Sequence, residues 1–292
     1  MIKRRENLIR LHSSPNVTRA LIRKLLQVDP HLHSPFTLSP RSLSLLTKIK
    51  ESRAAAIHNY LNDYNIMKKL DTVLQKIHCL TIFDNNYPPL LRSIPDPPLV
   101  LYAVGNLQLL EYSPSLSVVG TRKPSSYAYP SMKKILIPLI QEGFTLVSGM
   151  AQGVDQFAHH LAVAYNGTTI AVLGSGFHHI YPTNDIALYQ RLVSKHLVLS
   201  EYPPDRPAKK FHFPERNRII SGLTSGTFVV EARVKSGSLI TVDQALEQGK
   251  DVYAMPGLPG NPMSEGCHKM INDGAKLVHS HHDILEDWKE KI

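Results

Sequence analysis

Residues 145–165 read TLVSGMAQGVDQFAHHLAVAY, and this stretch limits the possible folds of the chain more tightly than any other. Leu146-Val147 is a short apolar run that suits a strand buried on both faces. Ser148-Gly149 turns the chain. Val154, Phe157, Ala158, Leu161, Ala162 and Tyr165 then recur at i, i+3, i+4, i+7, i+8 and i+11, the apolar stripe of a core-facing helix. A small-residue turn before a helix leaves backbone N–H groups unpaired and pointing outward, an arrangement that binds phosphate. The same residues also serve as a tight strand-to-helix turn with no ligand.

From residue 115 the alternation continues. Strands are predicted at 116–119, 146–147, 169–173, 197–199, 228–230, 252–255 and 276–278, and helices at 129–142 and 236–248, which Gly143 and Gly249 close. Short connections between alternating strands and helices predict an α/β fold, a doubly wound, mostly parallel sheet of Rossmann-like kind. Its ligands bind beyond the carboxyl ends of the strands. The preceding chain differs. Residues 1–75 hold apolar clusters of helical length, broken at Ser13-Ser14-Pro15, Asp29-Pro30 and Ser39-Pro40, and read as a small all-helical domain. Residues 76–115 form a proline-rich lead-in with strands at 80–83 and 99–104. The sheet domain is expected over 116–282, with a tail at 283–292.

Charge is unevenly placed. Residues 1–70 carry 13 Lys and Arg against four acids, and the rest of the chain balances at 20 of each, so the net +9 resides in the first quarter. A basic segment joined to a neutral domain points to a polyanionic partner, nucleic acid above all, while solvated basic helices with no partner fit the same count. Cys79 and Cys267 have no metal or redox spacing, no apolar run approaches a membrane span, and the basic N-terminus lacks a signal-peptide core. A reduced cytoplasmic protein is expected.

Chemistry can collect at the strand ends: Gly120-Thr121-Arg122, Ser148-Gly149, Gly174-Ser175-Gly176, Glu201-Tyr202-Pro203, Glu231-Ala232-Arg233 and Pro256-Gly257. Ser236-Gly237-Ser238 adds another helix start with exposed amides. Arg122 can clamp a phosphate with its fork of donors or pair with a neighbouring turn. Gly174-Ser175-Gly176 fails as a dinucleotide fingerprint, because His179 stands at the third glycine position and no acid lies some twenty residues on. In residues 209–218, KKFHFPERNR, cations and two phenylalanines alternate, which suits single-stranded nucleic acid; a core phenylalanine and arginines paired with Glu215 or Glu231 fit equally. No catalytic arrangement, metal site or cofactor is read from spacing.

In order along the chain, VVGTRKPSSYAY, SGMAQGVDQFAHH, TIAVLGSGFHHIYPTN, SEYPP, FHFPERNRIISGLTSGTFVVEA, SGSLITVDQALEQGKDVYAMPG and GAKLV resemble the DNA-processing protein A (DprA/Smf) family over roughly residues 78–280. The resemblance implies an extended Rossmann-like domain that binds single-stranded DNA without cutting it. Such proteins dimerise, protect incoming strands and load the recombinase RecA during natural transformation. The family's DNA pocket maps onto Arg122, Ser148, Gly149, Lys210, Phe213, Arg216, Asn217 and Arg218, with Ser236 and Gly237 nearby. Residues 1–75 are similar only in type to the family's sterile-alpha-motif-like domain. Thr121 and Ala128 stand where the family usually has serine and often glycine.

Arg218, Gly226-Thr227 and Glu231 are also similar to nucleoside-phosphate phosphoribohydrolases of the lysine-decarboxylase-like group, which share the fold. Here Thr224-Ser225 replaces their glycine pair and Glu231 falls four residues after Thr227 rather than three, so that catalytic frame is not reproduced.

Overall fold

Every run marked as a strand from residue 115 onward is a strand in the structure, a computed structural model that describes residues 2–111 and 114–289. The chain opens with helices α1 (Ile2–Ser13), α2 (Arg19–Val28), α3 (Ser34–Thr37), α4 (Pro40–Thr47), α5 (Glu51–Asn62) and α6 (Tyr64–Leu74). The polar breaks act as caps. Thr18 Oγ1 accepts from Leu21 N, Ser39 Oγ from Ser42 N, and Asp63 from the amides of Asn65 and Ile66, which satisfies donors a helix start leaves open. The lead-in supplies β1 (His78–Thr81), α7 (Pro89–Arg92) and β2 (Val100–Gly105).

The alternating part runs β3 (Ser115–Val119), α8 (Ala128–Gln141), β4 (Thr145–Ser148), α9 (Val154–Ala164), β5 (Thr168–Leu173), α10 (Ile186–Lys195) and β6 (Leu197–Ser200). It continues through α11 (His212–Gly222), β7 (Gly226–Val229), α12 (Gly237–Glu247), β8 (Asp251–Ala254), α13 (Glu265–Asn272), β9 (Lys276–Leu277) and α14 (His282–Lys289). The expected tail is thus helical as far as Lys289, and residues 290–292 lie outside the described residues.

Among the described residues the nine strands form one sheet in the order β1-β2-β6-β5-β4-β3-β7-β8-β9. From β6 to β9 every pairing is parallel; β2 joins β6 antiparallel, and β1 joins β2 antiparallel. The chain steps outward from β3 to β6, then returns so that β7 pairs with the other edge of β3, Leu116 opposite Gly226 and Val119 opposite Val229. That reversal is where an open α/β sheet forms its ligand crevice.

Side-chain alternation divides the core. Leu116, Val118 and Leu146 pack under α8 and α9, while Val119, Val147 and Val229 pack with α11 to α13 on the other face. The leading helices share a core with the sheet and α10: Leu8, Leu11, Ile22, Leu25 and Ile57 pack in one cluster with Tyr102, Ala171, Leu173, Leu192 and Val198. At roughly 25 cal/mol per Å² of apolar area removed from water, this packing is the main force holding the helices on the sheet.

Candidate nucleic-acid interface

A cleft of about 680 Å³ opens at the reversal, between the end of β3, the start of α11 and the start of α12. The loops after β3 and β4 press together to form its floor. Gly153, at φ +89°, makes this possible: a Cβ there would lie 2.5 Å from the Thr121 carbonyl oxygen and 2.8 Å from the Arg122 carbonyl carbon. The β3 loop is tied from the other side. Thr121 N donates to the Glu231 carbonyl at 2.9 Å, and the buried Glu231 carboxylate accepts from Ser125 N at 2.9 Å and from the Ser125 hydroxyl. Arg122 is therefore carried on an anchored loop, with its own side chain exposed.

Helix α11 supplies the wall. At 100° per residue, Phe213, Arg216, Asn217 and Ile220 share one face (i, i+3, i+4, i+7), and all four line the cleft. The Phe213 ring is half-buried, lying over Gly174, 5.4 Å from the Tyr181 ring and 5.8 Å from the Arg122 guanidinium carbon. It is thus neither a core residue nor a free one. Arg216 is only 4% exposed. Its Nη1 donates to the Val172 carbonyl at 3.0 Å, its guanidinium fills the space where Gly149 would carry a side chain, and its Nε has no partner among the described residues. Burial depresses its pKa, opposed by the charge of Asp155.

Seven of the ten site residues predicted from sequence line this one cleft: Arg122, Lys210, Phe213, Arg216, Asn217, Ser236 and Gly237. Gly149 borders a smaller annex beside Arg122 and Phe213. The structure places the other two elsewhere. The buried Ser148 hydroxyl donates to the Val118 carbonyl at 2.6 Å and is committed to the sheet. Arg218 lies two residues, 200°, around the helix from Arg216, and points the opposite way. Its Nη2 donates to both Glu201 oxygens at 2.7 and 2.9 Å and its Nε to Asp96 at 3.1 Å. Burial opposes its charge, but Glu201 and Asp96 outweigh burial and raise its pKa.

The turn after β4 also differs from expectation. Its amides do not all point outward: Gly149 N and Ala151 N donate to Asp155 Oδ2 at 3.2 and 3.3 Å. The open helix start is that of α12. There Gly237 is exposed with open space where a side chain would stand, and the Ser236 hydroxyl, against the cleft wall, has no partner among the described residues. Unpaired amides and the positive end of the helix dipole suit an anion at that point. Arg122 and Lys210 are exposed and, among the described residues, form no ion pair. The cleft can hold anionic groups at three places and offers a ring edge between them. Sequence reasoning missed Tyr181, Ile240 and Thr241 as lining residues. For Tyr181 the available signal was an aromatic residue set before proline in a polar loop. No cluster of metal-ligating side chains occurs among the described residues.

A family profile for DNA recombination-mediator protein A matches residues 78–289. The DNA processing protein DprA of Bacillus subtilis is 39% identical over 277 residues, covering 93% of this chain and 91% of that protein. The DprA of Streptococcus pneumoniae is 44% identical over 220 residues, 75% of this chain and 77% of that one. The X-ray structure of the Streptococcus pneumoniae protein superposes with a TM-score of 0.84 at 37% identity, covering 96% of this chain and 97% of that chain. The DNA processing protein A of Helicobacter pylori, described with a single-stranded DNA binding mode, superposes with a TM-score of 0.67 at 28% identity, over 74% of this chain and 97% of that one. This chain belongs to the DNA recombination-mediator protein A family.

Proposed function

We propose that the cleft at the β3–β7 reversal binds single-stranded DNA. The observation that carries the reading is the meeting of Arg122 and Lys210, exposed and without ion pairs among the described residues, with the half-buried ring of Phe213 in one concave site. Cations meet phosphates, a ring face or edge meets an unstacked base, and neither contact needs a particular sequence. Arg216, Asn217, Ser236, Gly237 and Gly149 complete the site, and the binding mode described for the Helicobacter pylori relative supports it. On this reading the protein acts without cutting DNA, as a cytoplasmic homodimer that protects incoming strands and loads the RecA recombinase. Residues 1–75 form a helical unit that leads into the sheet. The competing reading, a nucleoside-phosphate hydrolase, draws less support, because Glu231, the carboxylate it requires, is buried and bound to Ser125.

Fluorescence anisotropy with a labelled single strand and with its duplex, titrated across salt, tests the proposal. Single strands bind more tightly, and log K falls with log salt at a slope of about −0.7 per phosphate contacted. A flat salt response, or equal affinity for the duplex, overturns it. RecA filament formation on strands precoated with a single-strand-binding protein, with and without this chain, tests the loading role.

A further inference from the structure

Phe211 is 57% exposed, yet it is not a loose side chain. Its ring stands edge-on against His212 (4.7 Å, 87°), and His212 is stacked on Tyr202 (3.8 Å, 20°) with its Nδ1 3.1 Å from the Gly174 carbonyl. The ring is therefore presented to solvent from a fixed base, which lowers the entropy lost when something stacks on it. It borders a second cleft, of about 460 Å³, between the sheet and α2.

The charge there has a definite sign. Asp96, Glu201 and Glu215 are engaged by Arg19, Arg23 and Arg218. Lys209, with its Nζ 5.9 Å from the Phe211 ring, and Arg206, whose side chain reaches only the Ser14 carbonyl at 3.4 Å, form no ion pair among the described residues. An exposed ring sharing a cleft with two cations outside any ion pair among the described residues repeats, on the far side of one short ridge, the combination of Phe213 with Arg122 and Lys210. The ridge is residues 209–213: Lys210 and Phe213 face the first cleft, Lys209 and Phe211 the second.

We propose that a single strand bound in the first cleft continues across this ridge and stacks a further base on Phe211, with Lys209 and Arg206 on the flanking phosphates. The proposal rests on the reading of the first cleft as a single-strand site.

A length series of labelled oligothymidylates separates the two. Phe213→Ala weakens binding at every length. Phe211→Ala leaves the shortest oligonucleotides that bind unaffected and weakens long ones about tenfold, the loss of roughly one stacked base. The double variant Arg206→Gln/Lys209→Gln reduces the salt slope by about 1.4 on long strands alone, two phosphate contacts. Because Phe211 is exposed, its melting temperature stays at that of the wild type, and Phe211→Trp restores long-strand affinity. Wild-type protein that binds no single strand overturns the cleft reading itself. Wild-type binding with Phe211→Ala indistinguishable at all lengths overturns this inference alone, as does an equal loss at all lengths.

Discussion

Gly149→Ala tests how the cleft floor is built. The φ of Gly149 is not in the left-handed region, so the backbone itself accepts alanine, and alanine on its own would stabilise slightly by restricting the unfolded chain. The obstacle is Arg216, whose guanidinium occupies the place of the new methyl. The backbone cannot back away, because Gly149 N is held by Asp155 at 3.2 Å. Arg216 must leave its slot, breaking the 3.0 Å bond to Val172 and stranding a buried carbonyl. A hydrogen bond to a charged group contributes about 1.5–3 kcal/mol. At roughly 2–4 °C per kcal/mol for a chain near this size, the melting temperature falls by about 3–12 °C. Thermal and urea unfolding of Gly149→Ala, Arg216→Ala and the double variant measure it. Arg216→Ala already removes the bond and vacates the space, so the double variant is no less stable than Arg216→Ala. Additive losses, or a Gly149→Ala protein that melts with the wild type, refute the contact.

Other expectations follow from the same geometry. Arg122→Ala reduces the salt slope of single-strand binding by about 0.7 with no change in melting temperature, and Arg122→Lys restores only part, since a point charge lacks the guanidinium fork. Phe213→Ala costs about 1–3 kcal/mol of single-strand affinity, whereas a stability loss of about 3–5 kcal/mol with normal binding by the folded fraction would mark the ring as core. Glu201→Ala leaves the 7%-exposed Arg218 side chain with the half-exposed Asp96 as its remaining partner and destabilises by up to about 3–5 kcal/mol in denaturant unfolding, and a loss near zero would refute a buried pair. Burial holds the pKa of His12 and His159 down to about 3. The unfolded chain therefore takes up protons first as pH drops below 6.5, and stability falls toward pH 3, by about 1.4 kcal/mol per histidine at pH 5.5. His159→Gln removes one share of that slope in unfolding measured at pH 7 and 5.5; an unchanged slope refutes the assignment.

The strands of the alternating region were legible because apolar runs of two to five residues, repeated between small-residue turns and helical stretches, have few other readings. Helix α11 was not legible as a helix. His212-Phe213-Pro214-Glu215-Arg216-Asn217-Arg218 has charge on every side, and its burial depends on partners far away in sequence. For the same reason Arg216 and Arg218 read as one basic run, although the helix turns them to opposite sides. The basic first quarter was legible only as a sum. Arg5 pairs with Asp84, Arg19 with Asp96, Glu201 and Glu215, Arg23 with Asp96, and Lys69 with Asp205. Part of that excess is spent docking helices rather than gathering a polyanion. Charge counts along a chain do not show which charges will meet.

The antiparallel seam between β2 and β6 has a consequence for the order of assembly. Tyr102 to Gly105 pair with Leu197 to Ser200, and among the described residues β1 pairs with β2 alone. About a hundred residues separate the two sides of the seam, a delay of about 5–20 s at translation rates of 5–20 residues per second. During that interval Leu8, Leu11, Ile22 and Leu25 have left the ribosome, while Ala171, Leu173, Leu192 and Val198, which they pack against, have not been made. The loop closure that joins them comes late and carries its entropic cost in a single step. The helices that are synthesised first wait for partners as late as Val198, with their apolar faces open to whatever receives the nascent chain.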